Sequence, residues 1–370
     1  MTGIEHLLNK RLVICVGCGG VGKTTSAAAL ALAGALHRRR TAVITVDPAR
    51  RLKDALGLDE LSIDPRPVEV DAETRFDALA LDTKRTFDSL VQRFAASPQA
   101  ATRILNNRLY QELSNELAGS AKYMAMEKLH ELVTSKRYQL LIVDTPPSAH
   151  LQDLLTAPNR LVGLLASRAV RLLQAPTSLL SGVESAAGRL ALSGLLKALQ
   201  RWTGFDLLND LAEFVSSFEH MLEGFSKRAE EVTRLLHAPS TAFVLVTTPE
   251  ARTIETTIGF HRDLSSGAYP VAGVIANRVV AFPRLLESEP ALAKWEAGLT
   301  NKLRRNYQEL RELSRRDRRA LQHLHSQTHV PLLGAVPAVN IAPTTVEGLR
   351  RFATLLVPGV EERSYPSPAA

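Results

Sequence analysis

The sequence predicts an α/β protein with a doubly wound, mostly parallel sheet and a helical insertion subdomain. Short apolar runs of strand length alternate with segments of helical periodicity, and this order produces parallel crossovers. The first apolar run leads into a glycine-rich loop, Gly17–Thr25, with the spacing G-x-x-x-x-G-K-[ST] that is typical of P-loop proteins. We therefore expect a single P-loop domain over residues 1–357 and a disordered tail over residues 358–370.

The glycine-rich loop is flanked by a predicted strand, Leu12–Val16, and a predicted helix, Thr24–His37. A helix N-terminus next to glycines offers backbone amides to an anion, so this arrangement predicts a phosphate site. The motif assigns Lys23 to the β- and γ-phosphates and the Thr24 hydroxyl to Mg²⁺. The remaining predicted phosphate contacts are Gly19, Gly20, Val21, Gly22 and Thr25. A chance glycine-rich turn is the weaker interpretation, because every fixed position and both flanks match.

Two later strands are expected to end in carboxylates. A β-branched run, Thr41–Val46, leads to Asp47, and an apolar run, Tyr138–Val143, leads to Asp144. The carboxyl ends of parallel strands lie over the ligand in folds of this class. Asp144 fits the Walker B pattern that holds Mg²⁺. Asp47 is a candidate for orienting water or joining the metal shell, the alternative being a turn aspartate before proline.

The helical insertion is predicted from two segments, residues 77–136 and 151–237. Both are mostly helical in pattern, and the second is rich in leucine. Its clearest apolar stripe consists of Leu207, Leu208, Leu211, Phe214, Val215, Phe218, Met221, Leu222 and Phe225. This apolar surface is either ordinary core or a groove for an apolar helix or a partner.

The α/β pattern resumes after the insertion. Strands are predicted over Ala242–Val246 and Ala272–Ala276, and the second is followed by Asn277 and Arg278. A side-chain amide at a strand end either reads an adenine edge or makes a turn.

A helix over Trp295–His325, a strand over Val330–Val336 and a helix over Thr345–Leu356 complete the pattern. The first of these helices carries a dense arginine face, which is either solvated or a docking surface for acidic lipid, ribosome or partner.

Composition sets broad limits on location and partners. The chain of 370 residues has 45 basic and 38 acidic residues, a net charge of +7 that permits contact with nucleic acid or anionic lipid without favouring either. The N-terminus lacks a signal-peptide layout and no run of about 18 apolar residues occurs, so we expect a cytoplasmic protein.

The cysteines, Cys15 and Cys18, form a C-x-x-C without a second such pair, so packing and loop roles are favoured over a redox pair or half a metal site.

Taken together, the ordered motifs resemble those of the arsenical-pump ATPases and of the targeting ATPase for tail-anchored membrane proteins, in the MinD-like, deviant-Walker-A branch of P-loop proteins. The resemblance rests on the loop, on Asp47-Pro48-Ala49, on Asp144-Thr145-Pro146-Pro147-Ser148-Ala149-His150, on Asn277-Arg278 and on the Pro337 turn. It implies ATP and Mg²⁺ as cofactors and Lys23, Asp47 and Asp144 as catalytic residues, with Asp47 positioning the attacking water. It also implies that Asn277 reads the adenine, with Arg278 and Pro337 nearby.

Cys18 departs from the family pattern. Relatives usually carry a signature lysine at this position, which reaches the phosphates of a partner subunit, and a thiol cannot supply that charge. The chain looks most like bacterial members that lack this lysine. The resemblance therefore implies a homodimer, or a heterodimer with a lysine-bearing paralogue. Arsenite transport is not expected, because the thiolates that it needs are missing.

The expected function is that of an ATPase in which nucleotide-driven dimer closure remodels the helical insertion. The insertion would bind an apolar client helix or a membrane-associated protein, with peripheral location at the membrane as an option. The alternative is a weakly hydrolysing, nucleotide-dependent interaction subunit of a hetero-oligomer. No specific nucleic acid is expected as partner, and guanine specificity is not supported, because the chain has no Asn-Lys-x-Asp.

Overall fold

The computed structural model describes residues 3–47, 51–95, 97–106, 121–146, 224, 227–280, 297–338 and 345–357. Several predictions lie outside these residues: the Leu-rich helices and their stripe up to Phe225, residues 48–50 and 147–150 of the two Asp-containing motifs, and the tail over 358–370.

The described elements follow one another in an α/β order. The strands are β1 (Leu12–Val16), β2 (Thr41–Thr45), β3 (Arg66–Glu69), β4 (Arg75–Ala80), β5 (Leu140–Asp144), β6 (Thr241–Thr247), β7 (Val271–Val279) and β8 (Leu332–Pro337). The helices are α1 (Gly3–Leu8), α2 (Lys23–Leu36), α3 (Arg51–Ala55), α4 (Thr83–Phe94), α5 (Pro98–Asn106), α6 (Ala121–Thr134), α7 (Ala251–Ser266), α8 (Ala297–Thr328) and α9 (Val346–Leu356).

The strands form one eight-stranded sheet in the order β3-β4-β2-β5-β1-β6-β7-β8. All neighbours are parallel except β3 and β4, which pair antiparallel. The central strands β1, β2, β5 and β6 are buried along their whole length, as expected for parallel strands covered on both faces. This sheet with its flanking helices confirms the predicted fold class.

The order of the strands determines which loops meet. Strand β5 lies between β1 and β2, and β1 lies between β5 and β6. The carboxyl ends of β1, β2 and β5 are therefore neighbours, although they are far apart in the sequence. This edge of the sheet carries the glycine-rich loop, Asp47 and Asp144.

Helix α2 is an alanine-rich helix that packs closely on the sheet and on α9. Its residues Ala27 to Ala33 are fully buried, because small side chains allow the helix axis to approach its neighbours. On the other side of β1, α7 packs against β6 and α8. No helix in the described part of the chain combines the length and the hydropathy needed to span a bilayer.

The region expected to be helical from Asp77 begins later than predicted. Asp77–Ala80 belongs to β4, and the first helix of this region starts at Thr83, where the Asp82 side chain accepts a hydrogen bond from the amide of Arg85. The prediction of helix at Asp77 was wrong because β3 is the edge strand and β4 begins with an exposed arginine, so polar side chains hide the strand pattern of this pair.

The chain divides into two compact units. The first consists of Met1–Leu81, Leu132–Gln152 and Leu235–Ala370, and it contains the sheet. The second consists of Asp82–Glu131 and Asp153–Arg234. Within the second unit, Arg228 Nε donates to Glu127 Oε2 over 2.8 Å, and its guanidinium lies 4.0 Å from the centroid of the Phe94 ring.

Candidate nucleotide-binding site

The loop Gly17–Thr25 follows β1 directly and turns into α2, as predicted. Gly17 passes so close to β6 that a Cβ there would lie 2.2 Å from the Val246 carbonyl oxygen. Gly20 and Gly22 have φ angles of 79° and 94°, in the left-handed region that favours glycine. The glycines therefore serve two purposes: contact with the neighbouring strand and the tight curvature of the loop.

The N-terminus of α2 is open to an anion. Gly22 occupies the N-cap position, no side chain accepts a hydrogen bond from the first amides, and the first turn contains no acidic residue. Gly19 and Gly20 are exposed, and Thr24 and Thr25 are partly exposed. Since uncapped amides at a helix N-terminus carry partial positive charge, this end of α2 can hold phosphate.

Lys23 is held inside the loop. Its Nζ donates to the Cys18 carbonyl oxygen over 2.7 Å, and the residue is buried. Burial lowers the pKa of Lys23, whereas the nearby carboxylates of Asp144 and Asp47 act in the opposite direction. The ammonium group is therefore poorly solvated, which increases its attraction for an anion in the loop.

Asp144 is the most deeply buried acidic group of the site, with no exposed surface. Its Oδ2 accepts hydrogen bonds from the hydroxyls of Thr24 (2.8 Å) and Thr45 (3.0 Å). Its Oδ1 is also buried and has no hydrogen-bond partner among the described residues. Burial raises the pKa of Asp144 to about 6, although both threonines and Lys23 favour the ionised form.

Thr45 was not predicted from the sequence. It is the last residue of β2, and its hydroxyl also accepts a hydrogen bond from the Asp47 amide over 3.2 Å. A threonine in a β-branched run looks like an ordinary strand residue. Only the position of β2 beside β5 identifies its contact with Asp144.

Asp47 lies at the end of β2 and is buried. Its Oδ2 is 3.5 Å from the Arg51 Nη1 at the start of α3, and the Arg51 side chain is about half exposed. The positively charged Arg51 side chain therefore lies beside the Asp47 carboxylate at the edge of the site, and both residues belong to the first unit of the chain.

The polar atoms around Asp144 fit a magnesium ion. Mg²⁺ prefers hard oxygen ligands, which carboxylate and hydroxyl groups supply. The unpartnered Oδ1 of Asp144 is a buried acceptor without a donor, and such atoms are rare in folded proteins unless a ligand or water completes them. The Thr24 hydroxyl donates a hydrogen bond to the other oxygen of the same carboxylate. These residues thus have the donor chemistry that the ion requires.

Asn277 and Arg278 lie at a bulge near the end of β7. The pairing with β8 shifts register between Ala276 and Val279, and Arg278 has a φ of 55°. The Asn277 side chain is buried and turns toward the loop, where its Nδ2 donates to the Val21 carbonyl oxygen over 3.0 Å. Arg278 is exposed.

Pro337 is the last residue of β8, where it pairs with Val279. The predicted adenine-contacting residues Asn277, Arg278 and Pro337 are thus on adjacent strands at the same edge of the sheet. Of the three, only Asn277 has a contact with the glycine-rich loop among the described residues.

Cys15 is a packing residue. It is fully buried in β1, and burial together with the Asp144 charge raises the pKa of its thiol. Its carbonyl oxygen accepts a hydrogen bond from the Thr145 hydroxyl over 2.7 Å. Such an environment disfavours the thiolate needed for redox or metal chemistry.

This geometry defines a P-loop protein whose candidate nucleotide site lies at the carboxyl ends of β1, β2 and β5. A family model described as anion-transporting ATPase matches residues 10–310. The chain belongs to this family, as the resemblance of its motifs predicted.

Curated relatives agree with this assignment. The chain is 26% identical over 287 residues to an ATPase get3 from Aspergillus terreus, covering 76% of this chain and 77% of that protein. It is 26% identical over 291 residues to ATPase GET3A from Arabidopsis thaliana, covering 77% and 72%. A shorter match, 32% over 147 residues, relates it to an ATPase ASNA1 homolog 1 from Paramecium tetraurelia, covering 39% of this chain and 42% of that protein.

Proposed function

We propose that this chain binds ATP with Mg²⁺ in the glycine-rich loop and hydrolyses it. The observation that carries the proposal is the buried Asp144 carboxylate, which is bonded to Thr24 and Thr45 through one oxygen, while its other oxygen has no hydrogen-bond partner in the described part of the chain. It lies beside a buried lysine and an uncapped helix N-terminus. A site for a metal-bound polyphosphate needs these three features together.

Each residue has a distinct proposed role. The α2 amides and Lys23 hold the phosphates, and Thr24 and Asp144 hold Mg²⁺. Mg²⁺, when bound, neutralises charge on the phosphate oxygens and on the group that leaves. Asp47 accepts a hydrogen bond from the attacking water and orients it. Asn277 reads the adenine, with Arg278 and Pro337 at the same edge.

Dimerisation and client binding are the finer part of the proposal. The relatives are named ATPase get3 and ATPase ASNA1 homolog 1, which supports ATP hydrolysis as the activity on which this part of the proposal rests. We propose that ATP closes a dimer, either of two copies or with a lysine-bearing paralogue, and that the chain acts in the cytoplasm on an apolar client helix or a membrane-associated protein. Residues 151–237 would be the client-binding segment.

Cys18 supports a second candidate function. In this chain Lys23 Nζ is bound to the Cys18 carbonyl, and no lysine occupies position 18. An active site without a cation donated from a partner loses transition-state stabilisation. The chain would then be a slowly hydrolysing interaction subunit that depends on a partner. Arg51, next to Asp47, is a candidate for replacing the missing charge.

ATP hydrolysis by the purified chain tests the proposal. The rate should depend on Mg²⁺, and Asp144→Asn should lower it roughly 10²-fold, because a metal ligand contributes several kcal/mol to the transition state. Asp77→Asn is the matched control, since Asp77 is a strand carboxylate bonded to Tyr138 and Arg137 at the opposite edge of the sheet. Equal rates for Asp144→Asn and wild type would contradict the assignment of the metal site.

The mass in solution distinguishes the two candidate functions. Light scattering in ATP and in ADP should show an ATP-dependent dimer if the chain is self-sufficient. Tight ATP binding with neither turnover nor dimerisation would favour the interaction subunit. Absence of ATP binding by the folded protein would refute both.

A further inference from the structure

We propose that Asn277 is a positioning residue for the phosphate loop, and that it joins base recognition to phosphate binding through a single amide group. This inference rests on the proposed ATP binding. It goes beyond adenine reading, because it predicts that Asn277 matters for ligands that have no base.

Two hydrogen bonds fix the Asn277 amide. Its Nδ2 donates to the carbonyl oxygen of Val21 in the loop over 3.0 Å, and its Oδ1 accepts from the backbone amide of Arg278 over 2.9 Å. One partner requires a donor and the other an acceptor, so the orientation of the amide is determined. The residue is only 7% exposed, and in such a site each bond strongly constrains its partner.

The Asn277 amide also packs against the point where the loop becomes helix. A Cβ at Gly22 would lie 2.2 Å from the Asn277 Nδ2. Gly22 is the N-cap of α2, and Lys23 follows it directly. Asn277 therefore contacts two successive loop residues immediately before the predicted phosphate-binding lysine.

The hydrogen-bonding capacity of Asn277 is not exhausted by these contacts. An amide side chain has two N–H donors and two acceptor lone pairs, and the two bonds use one of each. Adenine presents one acceptor and one donor on its N7/N6 edge, which an asparagine can match. One Asn277 side chain can thus hold the loop and read the base at the same time.

The backbone around Asn277 is built to hold it in this position. The bulge in β7 and the left-handed conformation of Arg278 aim the side chain away from the regular strand direction. Beyond the bulge, the Val280 amide donates to Asp317 of α8 over 2.9 Å, and the Ala338 amide donates to Val279. Such a costly local conformation is maintained only when its surroundings fix it.

A base-free ligand separates the two roles of Asn277. We would measure binding of inorganic tripolyphosphate and of ATP, each with Mg²⁺, by calorimetry on the full chain. Asn277→Ala should weaken tripolyphosphate binding roughly tenfold, because the Val21 carbonyl loses its donor and the loop its support. The affinity for ATP should fall by a larger factor, because the contacts with the base are lost as well.

An isosteric variant tests whether the hydrogen bond donated by the Asn277 amide is what supports the loop. Asn277→Asp keeps an acceptor for the Arg278 amide but turns an oxygen toward the Val21 carbonyl, so it should weaken tripolyphosphate binding more than Asn277→Ala does. It also carries the test if the alanine variant does not fold. Gln139→Ala is the matched control: Gln139 is another amide side chain bonded to the main chain, at Arg40, on the opposite edge of the sheet.

The outcomes are distinct. Weaker tripolyphosphate binding by both Asn277 variants, with Gln139→Ala unchanged, supports the inference. Loss of ATP affinity with unchanged tripolyphosphate affinity overturns it and leaves Asn277 as a base reader alone. Wild-type protein that binds neither ligand overturns the proposed function, and the inference with it.

Discussion

We predict that the hydroxyl of Thr45 contributes more to stability than the hydroxyl of an ordinary strand threonine. It is buried, donates to Asp144 Oδ2 over 3.0 Å and accepts from the Asp47 amide over 3.2 Å. Thr45→Val removes the hydroxyl with almost no change in shape. Thr41→Val, in the same strand, is the matched control, because the buried Thr41 hydroxyl donates to the neutral Arg39 carbonyl over 3.0 Å.

The magnitudes differ because the acceptors differ in charge. A hydrogen bond to a charged group contributes about 1.5–3 kcal/mol, and one to a neutral carbonyl about 0.5–1.5 kcal/mol. Thr45→Val should therefore lower the free energy of unfolding by about 2–3 kcal/mol and Thr41→Val by about 1 kcal/mol. At roughly 2–4 °C per kcal/mol, the midpoint of thermal unfolding should fall by roughly 4–12 °C for Thr45→Val.

The assay is chemical denaturation of both variants, followed by thermal unfolding with ATP in Mg²⁺ or in EDTA. The Thr45 variant should also lose part of the Mg²⁺-dependent stabilisation by ATP, because Asp144, the carboxylate that we propose holds Mg²⁺, is less well oriented. The Thr41 variant should keep it. Equal unfolding free energies for the two variants, or an unchanged Mg²⁺ effect in Thr45→Val, would refute the reasoning.

Three further predictions concern other parts of the chain. Arg228→Ala should lower the free energy of unfolding in urea by about 3–5 kcal/mol, because it breaks the buried ion pair with Glu127. Arg351→Ala, at an exposed pair, should cost under about 1 kcal/mol; similar costs for the two would contradict this. Asp317→Ala should lower the free energy of unfolding by about 1–3 kcal/mol in the same measurement, since the partly buried Val280 amide loses its acceptor. An unchanged stability would show that the bulge does not need Asp317. Cys18→Lys should raise steady-state ATP turnover by up to about 10³-fold if the chain forms a symmetric dimer that lacks only this positive charge. Unchanged turnover with intact ATP binding would exclude the missing lysine as the cause of slow hydrolysis.

The glycine-rich loop and the central strands could be predicted from the sequence because their causes are local. The loop motif is contiguous, and Leu12–Val16 is an apolar run of strand length, as expected for a strand covered on both faces. The antiparallel pair of β3 and β4 gives no such signal, because its polar residues Arg66, Glu69 and Arg75 are exposed and interrupt the apolar pattern.

The hydrogen-bond network of the candidate site could not be predicted in the same way. Asp144 was identified by its own neighbours in sequence, but its contact with Thr45 spans 99 residues and depends on the order of β2 and β5. The bond from Asn277 to Val21 spans 256 residues and requires a bulge. Each contact follows from topology, which a single-sequence motif does not contain.

The arginine-rich helix α8 illustrates how a sequence pattern can conceal the residue that matters. The arginines of its basic face are all exposed: Arg304, Arg305, Arg311, Arg315, Arg316, Arg318 and Arg319. One acidic residue among them, Asp317, is buried, and it accepts a hydrogen bond from the Val280 amide just after the bulge. At the position of Asp317, the inward face of α8 is polar because the backbone amide after β7 needs a hydrogen-bond acceptor. The bulge that carries Asn277 is therefore supported from α8, through the hydrogen bond from the Val280 amide to Asp317.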